Sequence, residues 1–292
     1  QSYAEWQGTV SSIALMSLQP GAFGERCYML VPFLLIGLLT GGTLFFFRQL
    51  CRRVKGSSWL SVSMLVLLVT VQRMVSRPTA FFWYNGAVHY MAMYSFGLFL
   101  AGCLIGCICS RKALPYQIAA CLLAILPGGG NLVTALSGAI GFAALLLLLV
   151  LSGRRKKAVL ILPPALFYYA AFAVNVLAPG NRMRQDVVGE ESNPVLSILR
   201  SFYYGIQFPG VRWMDWVILL LILTLIPVSW KMAGQVSFRF PCPLLAAGFS
   251  YCFLSAMFTP PDYAAHTVDM ARVQNVIFSA DVLLTALNVM YM

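Results

Sequence analysis

The sequence predicts an all-α fold, a polytopic bundle of about nine transmembrane helices forming one integral membrane domain over residues 1–292. Three observations predict it. Hydrophobic residues make up 60% of the 292 and charged residues only 10%, where a soluble domain carries about 25% charged residues. The apolar residues fall into nine runs, several close to the ~20 residues that cross a ~30 Å hydrocarbon core. Basic residues gather between alternate runs, as in membrane proteins of fixed topology. A large soluble protein is excluded, because too little polar sequence remains to cover a water-facing surface.

The runs are 28–47, 59–71, 88–110, 114–126, 132–152, 158–177, 216–230, 244–258 and 273–292. The fourth and eighth are short for a full span and are expected to borrow from flanks 115–119 and 241–243 or to sit in locally thinned bilayer. The sixth contains Pro163-Pro164, read as a break. Residues 194–210 are amphipathic and interrupted by Pro209, which predicts an interfacial helix inside an outer loop spanning 178–212. Residues 1–27 read as an outer amphipathic loop. The chain opens at Gln1 without a signal peptide and its last apolar run stops at Met292, so a longer protein is expected.

Orientation follows from the cations. With the loops after runs one, three, five and seven inside, the cytoplasmic face holds Arg48, Arg52, Arg53, Lys55, Arg111, Lys112, Arg154, Arg155, Lys156, Lys157, Lys231 and Arg239. That set includes every lysine, and it places the N-terminus outside in a multi-pass cell-membrane protein. Independently, all the acidic residues fall on the outer half: Glu5, Glu25, Asp186, Glu190, Glu191, Asp215, Asp262, Asp269 and Asp281. Both histidines, His89 and His266, join them. The net charge of +11 is therefore a topological signal and implies no nucleic-acid partner. The cysteines show neither metal-ligand spacing nor a disulfide framework. Cys103, Cys107, Cys109, Cys121 and Cys252 read as small buried hydrophobes. No metal site and no cofactor motif is evident.

Chemistry concentrates on the outer side. Trp83-Tyr84-Asn85-Gly86-Ala87-Val88-His89-Tyr90 precedes the third span. Its rings suit the bilayer interface, and with Asn85 and His89 among them they also suit a sugar, whose apolar face stacks on Trp or Tyr. Gly128-Gly129-Gly130-Asn131 opens the fifth span. Asn131 is a good N-cap, and a helix N-terminus beside glycines is an anion site. Ala178-Pro179-Gly180-Asn181-Arg182-Met183-Arg184 follows the sixth span, with Gly180 expected just past the helix end and Arg182 and Arg184 suited to phosphate. Arg272-Val273-Gln274-Asn275 opens the ninth span. Asp281 lies about two and a half turns further along that helix, and an ionisable residue within a span is a functional candidate. At the start, Glu5 is a candidate base and Trp6 a candidate stacking surface.

Taken together, Glu5-Trp6-Gln7-Gly8 with Leu18-Gln19-Pro20-Gly21, then Trp83 to Tyr90, Gly129-Gly130-Asn131 and Ala178-Pro179-Gly180-Asn181-Arg182 resemble a bacterial family of polytopic membrane proteins of unknown function. That family in turn is similar to GT-C glycosyltransferases. The resemblance implies a GT-C-like bundle that takes a sugar from a polyprenyl-phosphate donor at the outer face, for cell-envelope glycan modification. It implies a main catalytic acid in an outer loop before Gln1, with Glu5 and Asp281 the weaker candidates here. Trp6, Trp83, Tyr84, Asn85, His89, Tyr90, Asn131, Asn181 and Arg182, which lie in these motifs, are then substrate-binding candidates, and the chemistry of Arg184 and Arg272 adds those two. The expected partners are the lipid bilayer and the lipid-linked sugar. A transporter or flippase for lipid-linked glycans, an outer-face ligase or polymerase, and a membrane scaffold remain as alternatives; Asp281 and the Pro163-Pro164 pair favour the transporter.

Overall fold

A computed structural model describes residues 8–181, 183, 193–235 and 242–292. Among the described residues the secondary structure is all helical, joined by short turns and linkers, with no strand. The helices are α1 (Val10–Met16), α2 (Val31–Leu50), α3 (Ser58–Arg73), α4 (Tyr84–Cys109), α5 (Leu114–Gly128), α6 (Leu132–Leu151), α7 (Arg155–Val176), α8 (Pro194–Gln207), α9 (Trp216–Ala233), α10 (Pro243–Ala265) and α11 (Ala271–Tyr291). Seven of them, α2 with its preceding turn, α4, α6, α7, α9, α10 and α11, are long and apolar enough to cross a membrane. The chain is thus an all-helical protein with the make-up of a multi-pass membrane protein.

Helices α3 and α5 have 16 and 15 residues, about 24 and 22 Å of rise, short of the hydrocarbon thickness. The eighth run is longer than its apolar core predicts, because α10 continues through Pro260-Pro261 to Ala265.

The Pro163-Pro164 pair does not break α7, which runs unbroken from Arg155 to Val176. A proline at 164 leaves the carbonyl of Leu160 without its helical donor. The Gln117 side-chain amide of α5 supplies that donor at 2.9 Å. In lipid a freed carbonyl must find a partner within the protein, and Gln117 is the polar residue that meets this need. Gln117→Leu is expected to cost about 0.6–2 kcal/mol, read as a lower unfolding midpoint in detergent. An unchanged midpoint would dissociate Gln117 from the proline carbonyl.

Two apolar clusters organise the bundle. One joins α2, α3, the first half of α4, α9, α10 and α11 around Phe47, Phe208, Phe258 and Phe278. The other joins the second half of α4 with α5, α6 and α7 around Phe142, Ile161 and Tyr168. Close approach sets their register. A Cβ on Gly138 of α6 would fall 2.0 Å from the Tyr168 hydroxyl of α7, which donates to the Thr134 and Ala135 carbonyls at 2.9 and 3.0 Å. Helix α8 packs its small face, Ser197, Ser201 and Gly205, on α10. Its opposite face exposes Val195, Leu199, Tyr203 and Ile206.

Cys103 and Cys107 are buried as predicted, but Cys109 and Cys252 are exposed on helix surfaces. Cys109 closes α4 beside the basic linker to α5 and borders a cleft there, while Cys252 lies on an outward face of α10, where a small apolar residue suits a lipid-facing surface. Helix α7 ends at Val176, and Pro179 to Asn181 turn again. Gly180 is therefore inside a turn, and it does not adopt the positive φ of a helix-terminating glycine.

The two ends of the bundle carry different chemistry, as the charge pattern predicts. At one end Arg73 pairs with Asp215, Arg212 with Asp269 at 2.6 Å, and Arg200 lies 4.0 Å from Asp262. At the other, the Lys55 amide donates to the Gln235 side chain at 2.7 Å, and Arg52, Arg111 and Lys112 border one cleft.

Candidate functional site

The acid-bearing end holds a small cleft of about 60 Å³, lined by Thr9, His89, Tyr90, Asn131, Asn181, Pro260, Pro261, Met270 and Val273 among others. Four residues singled out in the sequence, His89, Tyr90, Asn131 and Asn181, meet here from three separate segments. The reason is a hydrogen-bond network buried where water cannot substitute. Asn131 caps α6, its Oδ1 accepting from the Thr134 amide at 3.0 Å, while its Nδ2 donates to the His89 carbonyl at 2.6 Å. His89 Nε2 lies 3.2 Å from the Thr9 hydroxyl. The Gly8 amide donates to Asn181 Oδ1 at 3.1 Å, and Asn181 Nδ2 donates to the Asn175 carbonyl at 2.7 Å. Asn175, fully buried in α7, donates to the Gly130 carbonyl at 2.6 Å.

Glycines permit these contacts. A Cβ on Gly8 would sit 2.0 Å from the Asn175 carbonyl oxygen, and one on Gly130 would sit 2.8 Å from Met93. In the 128–130 stretch the carbonyls of Gly129 and Gly130 accept bonds from the Ser11 amide and from Asn175. This stretch seats neighbouring segments through its acceptors, whereas an anion needs its donors. Leu132 and Val133, in the first turn of α6, still line the cleft.

At the rim, Arg272 at the start of α11 lies between two rings. Its guanidinium carbon is 5.5 Å from the Trp83 ring centre and 5.9 Å from that of Tyr90. Gly86 makes this possible, since a Cβ there would lie 2.3 Å from the Trp83 ring. Tyr90 belongs both to the cleft wall and to this clamp. Arg272 also donates to Met270 Sδ at 3.4 Å, and no carboxylate among the described residues forms an ion pair with it. Arginine between aromatic faces keeps its edge donors free for a planar anion.

Other candidates lie elsewhere. The Tyr84 hydroxyl donates to the Leu15 and Leu18 carbonyls, tying down the segment after α1. Asn85 is exposed and does not line the cleft. Asp281 is half-buried within α11, away from the cleft lining, and has no hydrogen bond or ion pair among those of the described residues. Glu5, Trp6, Arg182 and Arg184 lie outside the described residues. Among the described residues no carboxylate lines the cleft, and no group of metal-ligating side chains occurs.

Sequence reasoning missed three residues that matter here. Thr9 and Asn175 complete the network; Asn175 was detectable as an isolated amide inside an apolar run. Asp262 was noted only as an outer acid. It is 2% exposed, accepts from the Tyr204 hydroxyl at 3.2 Å and presents a second oxygen that has no hydrogen bond. Burial, and after it the Asp262 carboxylate, raises the Tyr204 phenol above its ordinary range, which keeps it a donor to that acid. Together these observations define an all-helical, multi-pass membrane protein with an arginine–aromatic clamp beside an amide-lined cleft. No family model, curated protein or solved structure matches the chain.

Proposed function

We propose that this protein is a GT-C-like membrane glycosyltransferase that handles a polyprenyl-phosphate-linked sugar at the outer face of the cell membrane. In this reading the seven long helices and the shorter α3 and α5, lengthened by their flanking turns, all cross the bilayer, and the cleft opens outward. The observation that carries the reading is Arg272. It is a cation held between Trp83 and Tyr90 at the mouth of a cleft lined by His89, Asn131 and Asn181, without a carboxylate partner among the described residues. A phosphate seated there would lie at headgroup depth, with the arginine stabilising charge that develops on the leaving lipid phosphate. The adjacent rings would take the sugar face.

The cleft's volume is below the roughly 300–1,000 Å³ of small-molecule pockets. It accommodates a small group and not a sugar ring, so donor binding requires the lining to open or further residues to build the rest. None of the described residues lining the cleft is an acid, and Glu5 remains a weaker candidate for deprotonating an acceptor hydroxyl. The continuity of α7 through Pro163-Pro164 takes away the broken helix that favoured a transporter.

The test uses the protein in vesicles with a radiolabelled polyprenyl-phosphate sugar and a glycan acceptor. The expected result is release of free lipid phosphate with label passing to the acceptor. Movement of intact labelled lipid between leaflets, with no bond cleaved, would replace the enzyme by a flippase.

A further inference from the structure

At the opposite end of the bundle, a second cleft of about 710 Å³ is bordered by Arg52, Cys109, Ser110, Arg111, Lys112, Pro115 and Tyr116. Its cations come from two places far apart in sequence: the turn that ends α2 and the four-residue linker between α4 and α5. All three are exposed, and none forms an ion pair with an acid among the described residues. Tyr116 forms one wall. Its ring lies against Gly106, where a Cβ would come within 2.4 Å, and its hydroxyl accepts from the buried Gln49 amide at 3.4 Å. The cleft is therefore shaped by packing rather than by loose side chains. From its edge α5 presents Leu114, Ile118 and Leu122, each more than half exposed, in a continuous apolar stripe.

We infer that this cleft binds the phosphodiester headgroup of an anionic membrane lipid, with the acyl chains lying along the Leu114–Ile118–Leu122 stripe of α5. Charge complementarity selects an anion, since three cations without an acid partner among the described residues border one space. The apolar stripe beside it selects a lipid over a free phosphate. Basic clefts between helix ends are a recurrent setting for lipid headgroups. The short linker matters because it fixes Arg111 and Lys112 at the membrane surface; the Lys112 amide donates to the Ser110 hydroxyl at 3.2 Å, tightening the turn. The inference does not depend on the transferase reading.

Native mass spectrometry of the full chain in detergent provides the test, with phosphatidylglycerol, phosphatidylcholine and inorganic phosphate as probes. Phosphatidylglycerol is expected to be retained in preference to phosphatidylcholine. The combined variant Arg52→Gln, Arg111→Gln, Lys112→Gln is expected to lose at least about tenfold in phosphatidylglycerol affinity. The equally charge-depleted variant Arg154→Gln, Arg155→Gln, Lys156→Gln should keep its affinity. Thermal unfolding without lipid should give the same midpoint for both, since the removed cations are exposed. Equal losses in the two variants, equal retention of the two lipids, or displacement of phosphatidylglycerol by millimolar inorganic phosphate would each overturn the inference.

Discussion

Replacing Arg272 by alanine is expected to weaken binding of a short-chain polyprenyl phosphate by about a hundredfold or more, because charge-assisted contacts to phosphate are among the strongest polar interactions. The physical basis is preorganisation. The guanidinium is already held between Trp83 and Tyr90, at 5.5 and 5.9 Å from their ring centres, so little side-chain entropy remains to be lost on binding. No acid among the described residues neutralises it. Arg272→Lys retains the charge but loses the flat stacking surface and the forked donors, and about a tenfold loss is expected. Trp83 supplies the readout, since an anion at Arg272 alters the field at the indole. A titration of intrinsic fluorescence follows binding, with Trp83→Phe identifying the responsible ring. Wild-type affinity in Arg272→Ala, with the fold intact, would move the phosphate elsewhere and leave the cleft without its proposed ligand.

The second large effect concerns stability. Asn131→Ala is expected to cost about 2–4 kcal/mol, the sum of a lost helix cap, about 1 kcal/mol, and an orphaned buried carbonyl, about 1–3 kcal/mol. Asn131 is 4% exposed and uses both ends of its amide, Oδ1 at the Thr134 amide and Nδ2 at the His89 carbonyl. Asn131→Asp separates the two roles. Aspartate caps as well as asparagine does, yet it has no donor for the His89 carbonyl and brings a buried charge against it. If the cap alone mattered, Asp would rescue; the network predicts that it will not. Equilibrium unfolding in mixed detergent gives the comparison, and full rescue by aspartate would reduce Asn131 to a simple cap.

Much of the fold was legible in the chain itself. Six of the nine predicted spans coincide closely with long apolar helices, and the capping role of Asn131 follows from its place before an apolar run. The division of charge between two ends was legible too, and the ion pairs Arg73–Asp215 and Arg212–Asp269 are its consequence. The site was legible only as fragments. Nothing local to Arg272 announces Trp83 or Tyr90, and nothing in Gly8 announces Asn181, 173 positions away. Tyr84 and Asn85 sit in the same motif as Trp83 and His89, yet the helix turns them to other surroundings.

Composition and period determined that this protein has the make-up of a multi-pass membrane protein, roughly where its long apolar helices run, and which chemistry lies at each end; these are properties of short windows, in which lipid asks only for apolar side chains. Which residues meet was decided by the tertiary structure alone. In an apolar solvent most helix faces are interchangeable, so partners are chosen at the few places where a glycine admits a neighbour or a buried amide or carbonyl has no water to turn to. Gly138 against Tyr168, Gln117 against Leu160 and Asn131 against His89 are such places, and the last of them builds one wall of the cleft beside Arg272.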